Sequence, residues 1–215
     1  MLNILLRTSR RPKGFERVIK SIAAQKNGTP INLIISSDND ETTEYINDIT
    51  AKYNVNKIIV HFKHTKSTGA NNCPYNLYFN DMIKHTKEGW VWRIDDDDII
   101  SPNAFKTIMS TVVNIDNVYI FKMIAHGGML LPRYKAIIFG NIGTPNSVIH
   151  TQYNNVCKWT DLHRGDFTYI HTLTMSINDE SKIKYIDKII YKVDGIGDGT
   201  NIDSTNEFNW DGLNI

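Results

Sequence analysis

The sequence predicts an α/β domain with a mostly parallel central sheet and helices on both faces. Short apolar runs alternate with amphipathic helical stretches through the first half of the chain. Repeated βα units of this kind build parallel sheets that are covered on both faces. Acidic turns follow two of the apolar runs, at 36–40 and 95–98, and in such sheets ligands bind beyond the carboxyl ends of the strands. No internal repeat or low-complexity linker divides the 215 residues, so we expect one domain over residues 1–215.

The first hundred residues contain four apolar runs with the length of buried strands. These runs lie at 2–8, 31–37, 57–62 and 90–94. Helices are predicted between them, because apolar residues recur three and four positions apart. We expect these helices to begin at Pro12, near Glu41 and at Pro74. This half, residues 1–100, has the organisation of a nucleotide-binding half.

The second half, residues 101–215, is mixed and has room for a second substrate. Ser101 and Pro102 are expected to cap a helix, and a later helix is expected to begin near Gly165. The loop 140–146 contains glycine and proline and is expected to shape the site of that second substrate. Apolar runs predict four strands here, at 118–125, 134–139, 147–151 and 184–193.

Composition excludes several classes of protein. The chain has 24 Lys and Arg against 23 Asp and Glu, a net charge of +1, whereas nucleic-acid binders depend on a basic surface. No apolar run approaches the ~20 residues of a membrane span, and the N-terminus lacks the pattern of a signal peptide. The only cysteines, Cys73 and Cys157, make neither a disulfide framework nor a metal cluster. We therefore expect a cytoplasmic protein with no nucleic-acid partner and no membrane span.

The strongest chemical feature is the run of four aspartates from Asp95 to Asp98, directly after a predicted strand. Adjacent carboxylates repel one another, so the run is costly unless a cation or hydrogen bonds offset the charge. Carboxylate oxygens suit Mg²⁺ or Mn²⁺, which in turn bind diphosphates. The competing interpretation is an acidic turn in which Asp98 caps the following helix. The position at a strand end favours metal and diphosphate binding.

Two further turns contain candidate ligand-binding groups. After the first strand, Thr8 and Arg10 offer a hydroxyl and a cation at a helix N-terminus. Asp38 follows the second strand and can accept a hydrogen bond from a base or a ribose. Taken alone, each of these signals is better explained by solvated arginines and by an Asp38 that stabilises its own turn. Neither GxGxxG nor a P-loop is present, so a dinucleotide or P-loop site is not expected.

Asp166 is the candidate general base. It lies at a predicted helix start, where a carboxylate commonly caps the helix, but an ionised carboxylate there can also accept the proton of an attacking hydroxyl. Trp159 lies nearby and is the aromatic residue least expected in the core. Lys63, Lys66 and Arg93 are candidate phosphate-neutralising cations.

The order of these features resembles GT-A glycosyltransferases of the inverting, family-2-like type, over nearly the whole chain. That family has a Thr-x-x-Arg-like turn after its first strand, matched by 8–12, and a base-binding Asp after its second, matched by Asp38. Its Leu-Asp-x-Asp-Asp metal motif is matched by 94–98. Its catalytic base ends an acidic-Asp pair at a helix start, where this chain has Gly165 and Asp166. The compact length and the Arg-Ile-Asp-Asp-Asp-Asp stretch are most similar to the capsid-glycan glycosyltransferase domains of large algal viruses.

The resemblance implies a metal-dependent, inverting transfer from a nucleoside-diphosphate sugar, UDP-linked, to a hydroxyl of a glycan or glycoprotein such as a viral capsid glycan. It implies that Thr8, Arg10, Asp38, Asp95 and Asp96 bind the donor. It further implies that Mn²⁺ or Mg²⁺ lies on Asp97 and Asp95, with Asp166 as the base.

Two departures from the family pattern leave alternatives open. Gly165 stands where the family has an acidic residue, so Asp161 is the second candidate for the base. The aspartate run offers both Asp95-x-Asp97 and Asp96-x-Asp98. A sugar-phosphate nucleotidylyltransferase, or a non-catalytic carbohydrate- or nucleotide-binding module on the same fold, are the competing functions.

Overall fold

A computed structural model describes residues 1–26, 28–63, 72–194 and 207–215. The strands within these ranges are β1 (Leu2–Arg7), β2 (Ile31–Ser37), β3 (Lys57–His61), β4 (Trp90–Asp95), β5 (Ile99–Ile100), β6 (Val118–Ile124), β7 (Leu130–Leu131), β8 (Ser147–His150) and β9 (Ile183–Lys192). The helices are α1 (Pro12–Gln25), α2 (Asp40–Lys52), α3 (Tyr78–Met82), α4 (Ala104–Thr111) and α5 (Gly165–Ile177). Short 3₁₀ segments lie at Pro74–Leu77, Ile83–His85, His126–Gly128, Thr144–Asn146, Thr151–Tyr153 and Glu180–Lys182.

One sheet runs through both halves of the chain, in the order β3-β2-β1-β4-β8-β6-β9-β5, and β7 pairs with β6. The first four strands in the sequence, β1 to β4, are parallel to one another wherever two of them pair. The strand β8 is antiparallel to both β4 and β6, and β6 is parallel to β9. The predicted single α/β domain with a mostly parallel sheet is confirmed.

Helices cover both faces of this sheet. Successive side chains of a strand point to opposite faces, so each face is apolar and packs against its own set of helices. In β1, Ile4 and Leu6 join the core beneath α1, α2 and α4, whereas Leu5 points to the core beneath α3 and α5. In β4, Trp92 belongs to the first core and Val91 to the second. The predicted coverage of both faces is therefore confirmed.

Gly14 allows α1 to approach the turn that follows β4. A Cβ at this position would lie 2.7 Å from the backbone oxygen of Asp96, closer than real Cβ contacts. Any side chain would therefore push α1 away from the aspartate run. The close approach brings the N-terminus of α1 beside the carboxylates.

Three predictions of local structure are wrong. Residues 134–139 form no strand; instead the amide of Asn141 bonds their backbone, donating to the carbonyls of Tyr134 and Ala136. The helix at Pro74 is divided into two 3₁₀ segments and the five residues of α3. Ser101 does not cap α4, whose N-cap is Asn103.

One predicted residue, Lys66, lies outside the described residues. Across the described ranges, no helix has both the length and the apolar character needed to cross a membrane.

Candidate functional site

A cavity of about 500 Å³ opens at the carboxyl edge of the parallel strands. Turns from the first half of the chain form one wall, and the loop after β6 and the start of α5 form another. The lining includes seven of the predicted donor, metal and base residues, namely Thr8, Arg10, Asp38, Asp95, Asp96, Asp97 and Asp166. Residues far apart in the sequence therefore meet at the edge where ligands bind in open α/β sheets.

Asp95 is paired with Arg7 at the end of β1. The guanidinium donates to both carboxylate oxygens, from Nε at 2.7 Å and from Nη2 at 2.8 Å, and it lies over the ring of Phe79. Burial opposes the charged form of Arg7, but Asp95 outweighs it and raises the pKa of Arg7. This bidentate pair fixes the first carboxylate of the run.

Asp96 and Asp97 share one cation, the guanidinium of Arg11. Its Nη1 lies 2.8 Å from an oxygen of each carboxylate. The hydroxyl of Thr8 also donates to Asp96 at 2.6 Å. Burial raises the pKa of Asp96 to about 7 despite the opposing effect of Arg11, and burial also raises the pKa of Asp97. The run is therefore a desolvated carboxylate cluster balanced by arginines.

The four carboxylates alternate in exposure. The side chains of Asp95 and Asp97 are 24% and 18% exposed at the cavity, whereas that of Asp96 is 2% exposed. Asp98 is buried and accepts the backbone N–H of Asp194 at 3.0 Å, so it fastens the end of β9 and does not cap α4. Of the two alternatives for the register, the geometry favours Asp95-x-Asp97 as the pair that faces a ligand.

No three metal-ligating side chains converge anywhere in the described part of the chain. The cavity thus offers a divalent cation two carboxylates, on Asp95 and Asp97, and ligands or water would complete the coordination. That donor set fits Mg²⁺ or Mn²⁺, since Mg²⁺ commonly binds one or two carboxylates together with phosphate oxygens.

The turns after β1 and β2 are joined by hydrogen bonds. Ser9 Oγ donates to Asp38, at 3.0 Å from either carboxylate oxygen. The backbone N–H of Arg10 donates to Thr42, and Arg10 has a φ of 55°. Thr8 is buried, and its hydroxyl bonds Asp96 and Tyr45. Thr8 therefore supports the aspartate run, while Asp38 and Arg10 face the cavity.

Asp166 lies in the first turn of α5, and its carboxyl lines the cavity. Burial raises its pKa, opposed only in part by the backbone N–H of Phe167 at 2.7 Å. Asp161 is exposed, accepts a hydrogen bond from Asn72 and lies outside the described lining. A glycine at position 165, where the family has an acidic residue, has a steric explanation. A Cβ at this position would lie 2.7 Å from Nδ2 of Asn76. The geometry favours Asp166 over Asp161 as the base.

Two predictions about nearby residues are wrong. Arg93 is fully buried in the core beneath α5, donates to the hydroxyl of Tyr169 and does not reach the cavity. Trp159 is also a core residue, stacked on Tyr169 with ring centroids 5.0 Å apart. Lys63 is exposed and outside the described lining.

The sequence prediction missed Arg7 and Arg11 as partners of the aspartates. Arg7 ends an apolar strand next to the strand that leads into the aspartates, which was an available signal. For Arg11, the available signal was its position just before Pro12, where the helix begins. The close approach at Gly14 allows Arg11 to contact Asp96 and Asp97.

Comparison with known proteins was made on sequence and on structure. Residues 5–170 match the model of the family described as Glycosyl transferase family 2. No curated protein sequence matches the chain significantly.

Among solved structures, S. aureus TarS 1-349 superimposes with a TM-score of 0.64 at 16% identity, over 89% of this chain and 60% of that one. The same fragment in complex with UDP-GlcNAc gives 0.62 at 18%, over 89% and 57%. Glucosyl-3-phosphoglycerate synthase from Mycobacterium tuberculosis, in complex with Mn²⁺, UDP and glucosyl-3-phosphoglycerate, gives 0.63 at 12%, over 89% and 71%. The chain thus spans about 60% of the length of the TarS fragment. At these identities the likeness shows a shared GT-A fold.

Proposed function

The chain belongs to glycosyl transferase family 2, and from this we propose that it moves a sugar from a nucleoside diphosphate, UDP, to an acceptor hydroxyl with inversion. The observation that carries the proposal is the single cavity shared by Asp38, the aspartate run and Asp166. One side of that cavity has groups suited to a nucleotide, and the other has a carboxylate suited to a hydroxyl. The UDP-GlcNAc complex of TarS and the UDP complex of the mycobacterial synthase support a uridine donor.

The donor lies along the turns after β1, β2 and β4. Asp38 accepts a hydrogen bond from the base, in place of the one it receives from Ser9. Arg10 and Arg11, at the N-terminus of α1, face the diphosphate, where cations and a helix dipole favour negative charge. Asp96 stays behind this surface and fixes Thr8 and Arg11.

Asp97 and Asp95 would hold a divalent cation, Mn²⁺ or Mg²⁺, at the donor site. When bound, the cation offsets the charge that develops on the leaving diphosphate. The Mn²⁺ in the complex of the mycobacterial synthase supports this assignment. The two carboxylates contribute orientation and charge, while Arg7 keeps Asp95 in place.

Asp166 accepts the proton of the attacking hydroxyl. As the acceptor oxygen forms its bond to the anomeric carbon, the bond from that carbon to the diphosphate oxygen breaks on the opposite side, so the configuration inverts. The raised pKa of Asp166 brings the carboxylate closer to the range in which a base is effective. The acceptor we propose is a glycan or glycoprotein, and a viral capsid glycan is the acceptor implied by the resemblance seen in the sequence.

We place this activity in the cytoplasm. Both cysteines are free and buried, which suits a reducing compartment. Residues 1–100 form the donor half and residues 101–215 the acceptor half.

Calorimetric titration of nucleoside diphosphates tests the donor site. We expect UDP to bind wild type only with Mn²⁺ and to bind Asp97→Ala at least tenfold more weakly. The matched control is Asp161→Ala, a nearby aspartate outside the described lining, which should bind UDP as wild type does. Absence of nucleotide binding under every condition would leave a carbohydrate-binding module as the better account. Release of pyrophosphate from a nucleoside triphosphate and a sugar phosphate would instead indicate a nucleotidylyltransferase.

Transfer from UDP-sugars tests the base. We expect Asp166→Asn to lower kcat by about 100-fold, the lower end for a general base, with UDP binding unchanged. Asp161→Asn should retain activity within twofold. The opposite pattern would assign the base to Asp161, and retention of the donor's anomeric configuration in the product would refute inversion.

A further inference from the structure

One loop that reaches the cavity carries several exposed apolar side chains. Twelve large apolar side chains are exposed in the described residues, and five of them fall within 129–139. The five are Met129, Leu130, Tyr134, Ile138 and Phe139. Exposed apolar side chains that cluster mark interaction sites more often than chance. We call this segment the apolar loop.

The apolar loop is held in one conformation by Asn141. This residue is 1% exposed, and its Oδ1 accepts the backbone N–H of Arg133 at 2.7 Å. Its Nδ2 donates to the carbonyls of Tyr134 at 2.9 Å and Ala136 at 2.7 Å. A loop fixed in this way displays its side chains at little further entropic cost when a ligand binds.

Phe139 is the member of the loop that borders the site. The residue is 66% exposed, and its ring contacts that of Phe167, with centroids 6.0 Å apart and planes inclined at 76°. Phe167 directly follows Asp166, so their Cα atoms are about 3.8 Å apart. Gly140, directly after Phe139, lines the cavity. An exposed aromatic face thus lies at the edge of the cavity, on the side of Asp166.

We propose that Phe139, braced by Phe167, is an acceptor subsite that stacks a pyranose ring of the acceptor carbohydrate. The proposal rests on the proposed function. The face of an aromatic ring is electron-rich, and the C–H groups on one face of a pyranose carry partial positive charge. Stacking leaves the hydroxyls of the sugar directed around its rim, towards the polar cavity and Asp166. An exposed ring next to a cavity lined by carboxylates suits such an amphipathic sugar ring better than it suits a lipid tail.

Saturation-transfer-difference NMR on the full chain tests this without turnover. The probes are methyl pyranosides of glucose, galactose, xylose and rhamnose, with the protein saturated with UDP and Mn²⁺. The variants are Phe139→Ala, Phe139→Tyr and the matched control Tyr134→Ala, an aromatic residue that is 61% exposed in the same loop but is outside the described lining. Thermal unfolding of each variant verifies its fold.

We expect at least one glycoside to bind, with the strongest saturation on the C–H protons of one face. Phe139→Ala should weaken this binding about tenfold, while Phe139→Tyr and Tyr134→Ala leave it within twofold. UDP affinity should be the same in all variants. In transfer assays, Phe139→Ala should raise KM for the acceptor and leave hydrolysis of the donor unchanged.

Two results would overturn the subsite. One is that no glycoside binds, or that binding is indifferent to Phe139→Ala. The other is sedimentation of the protein with phosphatidylcholine–phosphatidylglycerol vesicles in a manner that requires Phe139 and is unaffected by glycosides, which would assign the ring to a lipid surface. Failure of UDP to bind, with glycoside binding intact, would refute the proposed function and keep a carbohydrate site at Phe139.

Discussion

Replacing Arg11 with methionine removes a cation that bridges Asp96 and Asp97 and retains much of the apolar stem of the side chain. Each carboxylate loses an ion pair of 2.8 Å. Removing one partner of a buried pair costs about 3–5 kcal/mol, because the remaining charge is left uncompensated. We expect a loss of about 3 kcal/mol, the lower end of that range, since Asp97 is partly exposed and Asp96 keeps the hydroxyl of Thr8.

The loss should depend on pH, because burial raises the pKa of Asp96 to about 7. At pH 8 the carboxylate is ionised and needs Arg11, whereas at pH 5 it is protonated and needs it less. Urea unfolding of metal-free protein at both pH values measures the difference. Arg10→Met is the matched control, because Arg10 is exposed and should lose less than about 0.5 kcal/mol, as surface substitutions do. Equal losses for the two variants, or a loss at Arg11 that is the same at both pH values, would refute the reasoning.

Three further outcomes follow from the same geometry. In metal-free wild type, the folded-state pKa of Asp96 lies above its ordinary value of 3.8, so the folded state binds more protons than the unfolded state between about pH 4 and 7. The Tm should therefore rise as the pH falls from 8 to 5. A Tm that does not change with pH would contradict this. The acid limb of kcat/KM should lie above the ordinary Asp range, because burial raises the pKa of Asp166; a limb near pH 4 would argue against Asp166 as the base. Gly14→Ala should cost about 1–3 kcal/mol by overpacking, since its Cβ meets the backbone oxygen of Asp96 at 2.7 Å; unchanged unfolding by calorimetry would show that α1 shifts freely.

The strands of the first half were predictable because each one is a local apolar run in the sequence. The strand before Asp95 and the strand before Asp38 are apolar runs that end in acidic turns, and parallel pairing brings such ends together. The segment 134–139 misled because five of its six residues are apolar, as in a buried strand. Its backbone is instead hydrogen-bonded by the side chain of Asn141. An amide side chain that replaces a neighbouring strand leaves no periodic signal.

Contacts between segments that are distant in the sequence could not be predicted from the sequence. The alternation along β4 places Arg93 on the face opposite Trp92, but only the fold shows that this face is a core rather than a cavity wall. The pairing of Arg11 with Asp96 and Asp97 joins segments 85 residues apart, at a distance that Gly14 allows. The exposure difference between Asp95 and Asp96 likewise depends on what packs behind each one.

The reversed strand β8 has a consequence for how such a domain can diverge. Because β8 runs against β6 and β4, the chain between β6 and β8 turns at the cavity edge, with both of its ends fixed in the sheet. Lengthening a connection costs little free energy once its ends are fixed, and loops vary more readily than the elements they join. Insertions or exchanges in 125–146 can therefore reshape this wall of the cavity while the parallel strands of the opposite wall stay intact. Under the proposed function, a new acceptor preference would need changes in this one connection and no new fold.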